Sequence, residues 1–454
     1  MNQPLDVFKR LAETTNGADV AGKKVECVFI DSRQEVKNGL FIPIQGERFD
    51  GHDFLLQAID NGAIAAIWQT GRPLPDRVPR DFPVFFVQDT LAALQKAAEN
   101  YLAFVKPIVI AITGSNGKTT TKDLTASLVS RRYRTFKTQG NFNNHIGLPL
   151  TVLGMDSDCQ VLILEMGMSG FGEISFLSKL TKPDFAVITN IGDSHLEQVG
   201  TREGIATAKL EIVDGLKKEG FLIVDGDEPL LTKAKNRITS IRTCGYNTDC
   251  DVQIVDVVLS EDGQFFSISG EAGRFYLPLL GKHNIKNACY AIVLAKTLGM
   301  SAAEIEEGFK QATLTGMRLE RLTGKKGALF INDAYNASPS SMKAAIETLD
   351  GLEDYPRKIA VLGDMYELGS QEEALHRDVA DAVSDRIDTV ITVGEKGRWI
   401  GEALKEKGWS GSVYICKTKE EAKPLLERLL SPDTAVLFKA SRGMKLETLV
   451  QMLR

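Results

Sequence analysis

The sequence predicts an α/β protein of three domains: a small α/β N-terminal domain, a central P-loop-type domain on a mainly parallel sheet, and a C-terminal Rossmann-like domain. Three observations predict it. Strand-length apolar runs alternate with helical stretches from Lys106 onward, and again beyond Arg321, as βαβ units do. A glycine-rich loop, Thr113–Thr121 (TGSNGKTTT), stands directly between an apolar run and a helical pattern. The 454 residues fill about three domains at ~150 residues each.

The elements follow in order. In residues 1–105, VECVFIDSR, GLFIPI, AIAAIW and FPVFFV read as strands, GRPLPDRVPRDFP as a loop and Leu91–Tyr101 as a helix. Ile108–Thr113 is a continuous β-branched run, the pattern of a strand buried on both faces. Val161–Glu165, Phe185–Asn190 and Phe221–Asp225 follow as further strands. Around 252–278 the rhythm becomes strand–turn–strand, with EDGQ as the turn, and predicts a small antiparallel appendage. A helix is expected from Asn284 to Leu298, and Gly316–Arg321 (GMRLER) reads as a linker. Ala328–Asn332, Lys358–Leu362, Thr389–Val393, Val413–Cys416 and Ala435–Phe438 then alternate with helical stretches, as in a second doubly wound domain. No G-x-G-x-x-G follows its first strand, so a dinucleotide is not expected there. The domains become 1–105, 106–316 and 317–454.

Composition removes several function classes. Hydrophobic residues make up 43% and charged residues 25%, an ordinary globular balance. The formal charge of −6 gives no global pull toward nucleic acid or an anionic membrane. Apolar runs are strand-length, too short to cross a bilayer. MNQPLDVFKRLAETTNG carries charge where a signal peptide needs an apolar core. The six cysteines fit no zinc spacing and read as reduced thiols, so a cytoplasmic location is expected.

The glycine-rich loop is the strongest chemical signal. Gly114 and Gly117 let the backbone turn tightly and bring its N–H groups, with those of Ser115, Asn116 and Thr120, toward phosphate oxygens. The helix N-terminus behind the loop adds its dipole. Lys118 can reach terminal phosphates and Thr119 can offer a hydroxyl to Mg²⁺. The spacing is G-x-x-G-K-T, two residues shorter than the usual G-x-x-x-x-G-K-[ST] loop. This weakens the case for a GTPase or a motor.

Three residues downstream point the same way with less force. Glu165 ends the strand VLILE, where an acid either faces P-loop Mg²⁺ or simply closes a strand. His195, in NIGDSHLE, lies past a strand end, as a capped loop histidine or a ligand. The helix TREGIATAKLEIVDGL places Ile205, Ile212, Val213 and Leu216 on one face, with Lys209 mid-helix inside that arc. A lysine facing inward needs a partner or loses its charge. A neutral amine can take up carbon dioxide as a carbamate, an oxygen ligand for Mg²⁺.

TGSNGKTT, Glu165 in LEMG, His195, Lys209 in AKLEI, GKHNIKNACYAI and GMRLERL stand in the order found in the Mur ligases, and the chain resembles that family over its whole length. Within it, DSRQEVKNGLFIPIQGERFDGHDF, GNFNNHIGLP and NDAYNASPSSM are similar to the branch that adds D-alanyl-D-alanine to UDP-N-acetylmuramoyl-tripeptide. The first motif is shared with the sibling that adds lysine or diaminopimelate. The Asp-Asn-Pro-Arg motif typical of the diaminopimelate form does not occur here.

The resemblance implies an ATP-dependent amide ligase that works through an acyl phosphate in cytoplasmic peptidoglycan precursor synthesis. It implies that Ser32 and Arg33 contact the UDP moiety and that Asn143 and Asn144 touch the muramoyl-peptide. Asn284 and Asn287 approach adenine, while Arg318 and Asp333 reach ATP from the last domain. Glu165, His195 and carbamylated Lys209 become Mg²⁺ ligands, with Thr119 on a second, ATP-side ion. Lys118, Lys209 and His195 form the catalytic group, and the enzyme is expected to be a monomer. Two alternatives are the sibling ligase and a P-loop regulatory ATPase.

Overall fold

The structure is a computed structural model describing every residue except 1–2, 233–237, 239, 261 and 272. Three main sheets carry it. The first runs in the order Thr14–Thr15, Val84–Val87, Ala63–Gln69, Gly39–Phe41, Cys27–Phe29, parallel except at the first pairing. The helix Thr90–Val105 follows it. Asp89 caps that helix by accepting from the backbone N–H groups of Leu91 and Ala92, and Lys106 ends it in the left-handed region. The helix is shared property: Tyr101 donates to the carbonyl of Met155 at 3.0 Å. A single apolar core runs from Leu5 and Phe8 through Leu94 and Ala98 to Leu148, Leu162 and Ile174, joining the first sheet to the second.

The second sheet has nine strands, with Ile108–Thr113 between Val161–Glu165 and Phe185–Ile188. Ile110, Ala111 and Ile112 are fully buried, as a strand covered on both faces requires. Glu165 pairs with Ile112 and Ile188 with Thr113, which places the ends of all three strands at one sheet edge. That edge is a topological switch point, where open α/β sheets bind ligands. The helices Lys118–Val129 and Lys282–Thr297 pack together on one face. The antiparallel segment is not a separate appendage. Val252–Ser260, Gly263–Ile268 and Phe275–Leu277 continue the nine-stranded sheet at its far edge.

The third sheet runs Glu320–Thr323, Leu329–Asn332, Thr434–Lys439, Arg357–Gly363, Thr389–Val393, Ser412–Cys416, antiparallel only at the first pairing. GMRLER is therefore only partly a linker, because Glu320 and Arg321 already pair with Asn332 and Ile331. Its Met317 and Leu319 have φ of +62° and +51°, so the chain turns sharply just before the strand begins.

Two further expectations are corrected. Phe185–Asn190 stops as a strand at Ile188, because Thr189 and Asn190 turn their side chains to the phosphate loop. TREGIATAKLEIVDGL is not one helix. The α-helix spans Arg202–Leu210 and then tightens into a 3₁₀ turn over Glu211–Gly215, where Gly215 lies against the backbone of Ser178. Lys209 is thus in the last turn of the helix rather than at its middle.

Candidate active site

The phosphate loop is braced on all sides. Asn116 donates its backbone N–H to Asn190 Oδ1 at 2.9 Å, Gly192 donates its N–H to Ser115 Oγ at 2.9 Å, and Thr189 Oγ1 donates to the carbonyl of Asn116. Gly114 is required by this bracing: a Cβ there would lie 1.8 Å from Thr189 Oγ1. Gly117 has φ of +80°, and a Cβ there would meet Asn287 Oδ1 at 2.6 Å. Lys118 folds back, donating from Nζ to the carbonyls of Gly114 and Ser115 at 2.7 and 3.3 Å. Burial pulls its ammonium below the ordinary lysine range, opposed by Glu165 and reinforced by Arg318.

Glu165, 4% exposed, is held from three directions. Its Oε2 accepts from Thr119 Oγ1 at 2.8 Å, its Oε1 from Asn143 Nδ2 at 3.1 Å, and its backbone N–H donates to Thr138 Oγ1. Arg318 comes from the linker and donates to Thr119 Oγ1 at 2.8 Å, with its guanidinium 4.2 Å from the centre of the Tyr335 ring. Lys209 is 2% exposed, and among the described residues its Nζ has no hydrogen-bond or ion-pair partner. Burial, and then the charge of Lys118, pull it well below the ordinary lysine value, toward the neutral amine.

Opposite these residues stands the last domain. Asn116 Nδ2 donates to Ser340 Oγ at 3.2 Å and its Oδ1 accepts from Ser338 Oγ at 3.3 Å. Asp333 accepts from Lys439 Nζ and from the backbone N–H of Leu319. His195 Nδ1 lies 3.0 Å from Glu367 Oε2. Together the two walls enclose a cavity of about 700 Å³. It is lined by Ser115, Asn116, Gly117, Lys118, Thr119, Thr120, Asn143, Asn144, Glu165, His195, Lys209, Asn284, Asn287, Arg318 and Asp333.

Sequence reasoning therefore named fifteen of the residues that line the cavity, and five of its site residues stand differently from expectation. Gly114 packs against Thr189 and does not line the cavity. Ser32 and Arg33 are outside the cavity: Ser32 donates to Gln57 Oε1 at 2.7 Å, and the exposed Arg33 pairs with Asp31. Asn144 lines the cavity, yet its Oδ1 accepts from the backbone N–H groups of Ile146 and Gly147, so the turn uses its side chain. Asn284 does not begin its helix, which starts at Lys282; its side chain donates to the carbonyl of Leu280 and accepts from Asn287.

Several wall residues escaped the sequence reading. His283, Glu367 and Lys439 line the cavity. Burial pushes the His283 imidazole down to about 4, against the pull of Asp333. Lys439 ends the strand Thr434–Lys439 and Glu367 follows the strand Arg357–Gly363 by four residues, so the strand-end argument applied to Glu165 extends to both. Behind the wall, Lys122 and Asp123 form a buried pair. Lys122 Nζ donates to the carbonyl of Thr138 at 2.9 Å. Asp123 accepts from Lys137 and from both the N–H and Oγ1 of Thr315.

Oxygen donors in this arrangement suit a hard cation that keeps most of its ligands as water and phosphate. Among the described residues no three His, Cys, Asp or Glu side chains converge on one point. The donor set instead pairs Glu165 with the Thr119 hydroxyl, and the buried amine of Lys209 belongs to the same cavity wall. A nucleotide's phosphates on the loop would complete such a site.

Comparison with known proteins decides the family. The chain matches "Mur ligase family, catalytic domain" over residues 24–102, "Mur ligase middle domain" over 112–295, and "Mur ligase, glutamate ligase domain" over 317–442. The chain belongs to the Mur ligase family. Members of the family are ATP-dependent ligases, and this chain is one of them. The UDP-N-acetylmuramoyl-tripeptide–D-alanyl-D-alanine ligase of Bacillus subtilis is 46% identical over 449 residues, covering 98% of this chain and 97% of that one. The Escherichia coli enzyme of the same name is 32% identical over 96% of this chain and 95% of its own. Among solved structures, MurF from Acinetobacter baumannii superimposes with a TM-score of 0.89 at 30% identity, covering 100% of this chain and 99% of that one. MurF ligase from Thermotoga maritima, solved in complex with ADP, gives a TM-score of 0.82 at 29% identity over 94% and 96% of the two chains.

Proposed function

We propose that this Mur ligase joins D-alanyl-D-alanine to the terminal carboxylate of UDP-N-acetylmuramoyl-tripeptide, in the cytoplasm, as a step of peptidoglycan precursor synthesis. The observation that carries the reading is the two-walled cavity. A phosphate loop with Lys118, Thr119 and Glu165 faces Arg318 and Asp333 from another domain, within a chain 46% identical to a ligase of that name along its whole length.

A carboxylate resists nucleophiles because of its charge. Transfer of the γ-phosphoryl group of ATP to it, with release of ADP, gives an acyl phosphate. The neutral amine of D-alanyl-D-alanine then attacks the carbonyl carbon. The tetrahedral intermediate collapses, the C–O bond to phosphate breaks, and the amine proton is lost. Catalysis is mostly positioning and charge stabilisation. The phosphate-loop N–H groups and Lys118 hold the transferring phosphoryl group. Thr119, Glu165, His195 and carbamylated Lys209 would hold two Mg²⁺ ions, whose charge offsets that of the phosphates. The amine of Lys209 suits carbamate formation, since it is buried, unpartnered and drawn toward neutrality.

In this reading, residues 1–105 bind the UDP moiety through Ser32 and Arg33, whose fork suits uracil or pyrophosphate oxygens. Asn143 and Asn144 approach the muramoyl-peptide. Residues 106–316 bind ATP, with Asn284 and Asn287 near adenine. Residues 317–454 bring Arg318 and Asp333 to the nucleotide and carry the D-alanyl-D-alanine site. The enzyme is proposed to work as a monomer.

The test follows ¹⁸O from the tripeptide carboxylate. Mass spectrometry is expected to find one ¹⁸O in the released phosphate for each pentapeptide product formed. Phosphate free of ¹⁸O, or ATP turnover that needs neither tripeptide nor dipeptide, overturns the reading; the second result is that of a regulatory ATPase.

A further inference from the structure

We propose that Glu367 is a positioning residue: it reaches from the last domain to turn the His195 ring, so that Nδ1 carries the proton and Nε2 is presented to the cavity as a lone-pair ligand. The inference rests on the metal-site reading above. Three observations carry it. His195 Nδ1 and Glu367 Oε2 lie 3.0 Å apart although the residues belong to different sheets' loops. Both residues are non-glycine and both sit in the left-handed region, with φ of +67° and +64°. Such conformations are strained and persist where the surrounding structure enforces them. The third is close backbone approach. A Cβ on Gly369, itself at φ of +61°, would lie 3.4 Å from the Cα of Glu197, so the two loops pack directly on one another.

Carboxylates placed on the far nitrogen of a ligating histidine fix its tautomer and ring orientation. Here the carboxylate comes from the other domain. Docking of the last domain would thus finish a ligand that the central domain holds only in part. The contact exists only while the domains are together, so His195 is correctly oriented only in the closed enzyme.

The experiment uses the full chain, saturated with a non-hydrolysable ATP analogue and UDP-muramoyl-tripeptide. Mn²⁺ binding is followed by electron paramagnetic resonance and the His195 tautomer by ¹⁵N NMR. Glu367→Ala is expected to weaken one of two Mn²⁺ sites by about 10- to 100-fold and to lose the Nδ1–H tautomer. Glu367→Gln, which keeps a neutral acceptor, is expected to lose less of both. His195→Ala is expected to weaken the same site. If Glu367→Ala binds Mn²⁺ like the unaltered protein while His195→Ala does not, the role of Glu367 is refuted and the metal-site reading stands. If His195→Ala also leaves Mn²⁺ binding unchanged, the metal-site reading fails and the inference falls with it.

Discussion

Around the phosphate loop the polar groups are braced mainly from within one domain, whereas polar contacts across the seam to the last domain are scattered. Ser115, Asn116 and Thr119 are tied to Gly192, Asn190 and Glu165, and Glu165 in turn to Thr138 and Asn143. The seam has Asn116 with Ser338 and Ser340, Arg318 with Thr119, and His195 with Glu367. A braced site is preorganised and needs no reorganisation during reaction. A seam of single contacts can open and close, because each costs little to break. The Lys122–Asp123 pair joins the two regimes. It lies on the phosphate-loop helix, yet Asp123 holds Thr315 at the start of the linker.

Substitutions within the braced side should show the largest effects. Lys209→Ala is expected to lose most turnover, and short carboxylates to restore part of it by replacing the carbamate; ADP release measures both. Near-normal turnover would remove Lys209 from the metal site. The same residue burdens the fold, since a buried unpartnered amine is bound less well by protons than in the unfolded chain. Its folded pKa is lowered, so it destabilises the protein as pH falls from the unfolded value toward neutrality. Lys209→Met is therefore expected to raise the thermal midpoint at pH 7 while abolishing activity.

Next comes Lys118→Ala, expected to lower kcat by about 10²–10³ while UDP-tripeptide binding, measured calorimetrically, stays near its original value. Asp123→Asn should follow, at about 3 kcal/mol of stability, because it leaves Lys122 buried without its counter-charge. Burial pushes Asp123 up, but Lys122, Lys137 and Thr315 outweigh this and hold its carboxyl below the ordinary value. The stability it contributes is complete above pH ~4 and is lost as pH falls through the lower folded value. The difference in midpoint between Asp123→Asn and the unaltered protein should therefore shrink in acid. A difference that is flat with pH would show that Asp123 acts only through its shape.

The smallest effect belongs to the seam. Ser340→Ala removes one partly exposed contact to Asn116, worth about 1 kcal/mol. Small-angle scattering with nucleotide and tripeptide bound should show the closed-to-open ratio falling by about fivefold, with Tm unchanged. An effect as large as that of Lys118→Ala would mean that the seam is as rigid as the loop.

The same contrast explains what could be read in the sequence. The phosphate loop was legible because its strand, glycines, lysine and helix are contiguous between Ile108 and Val129. The burial of Lys209 was legible from helical periodicity, although the end of its helix was not, because close packing of Gly215 on Ser178 forces the tighter turn. Asp123 carried no signal, since its partner Thr315 is 192 residues away. Glu367 and His195 likewise meet only through the placement of two separate sheets. Local chemistry shows in local sequence, and chemistry assembled across a seam does not.

The central claim is that this cavity makes one particular amide. Its most direct test is ADP release by the purified chain given ATP, Mg²⁺, each UDP-muramoyl-peptide and each candidate amine. The tripeptide substrates are supplied with either lysine or diaminopimelate at their third position. ADP is expected to appear only when UDP-N-acetylmuramoyl-tripeptide and D-alanyl-D-alanine are both present. Release with lysine or diaminopimelate and the dipeptide precursor, but none with D-alanyl-D-alanine, would contradict the account.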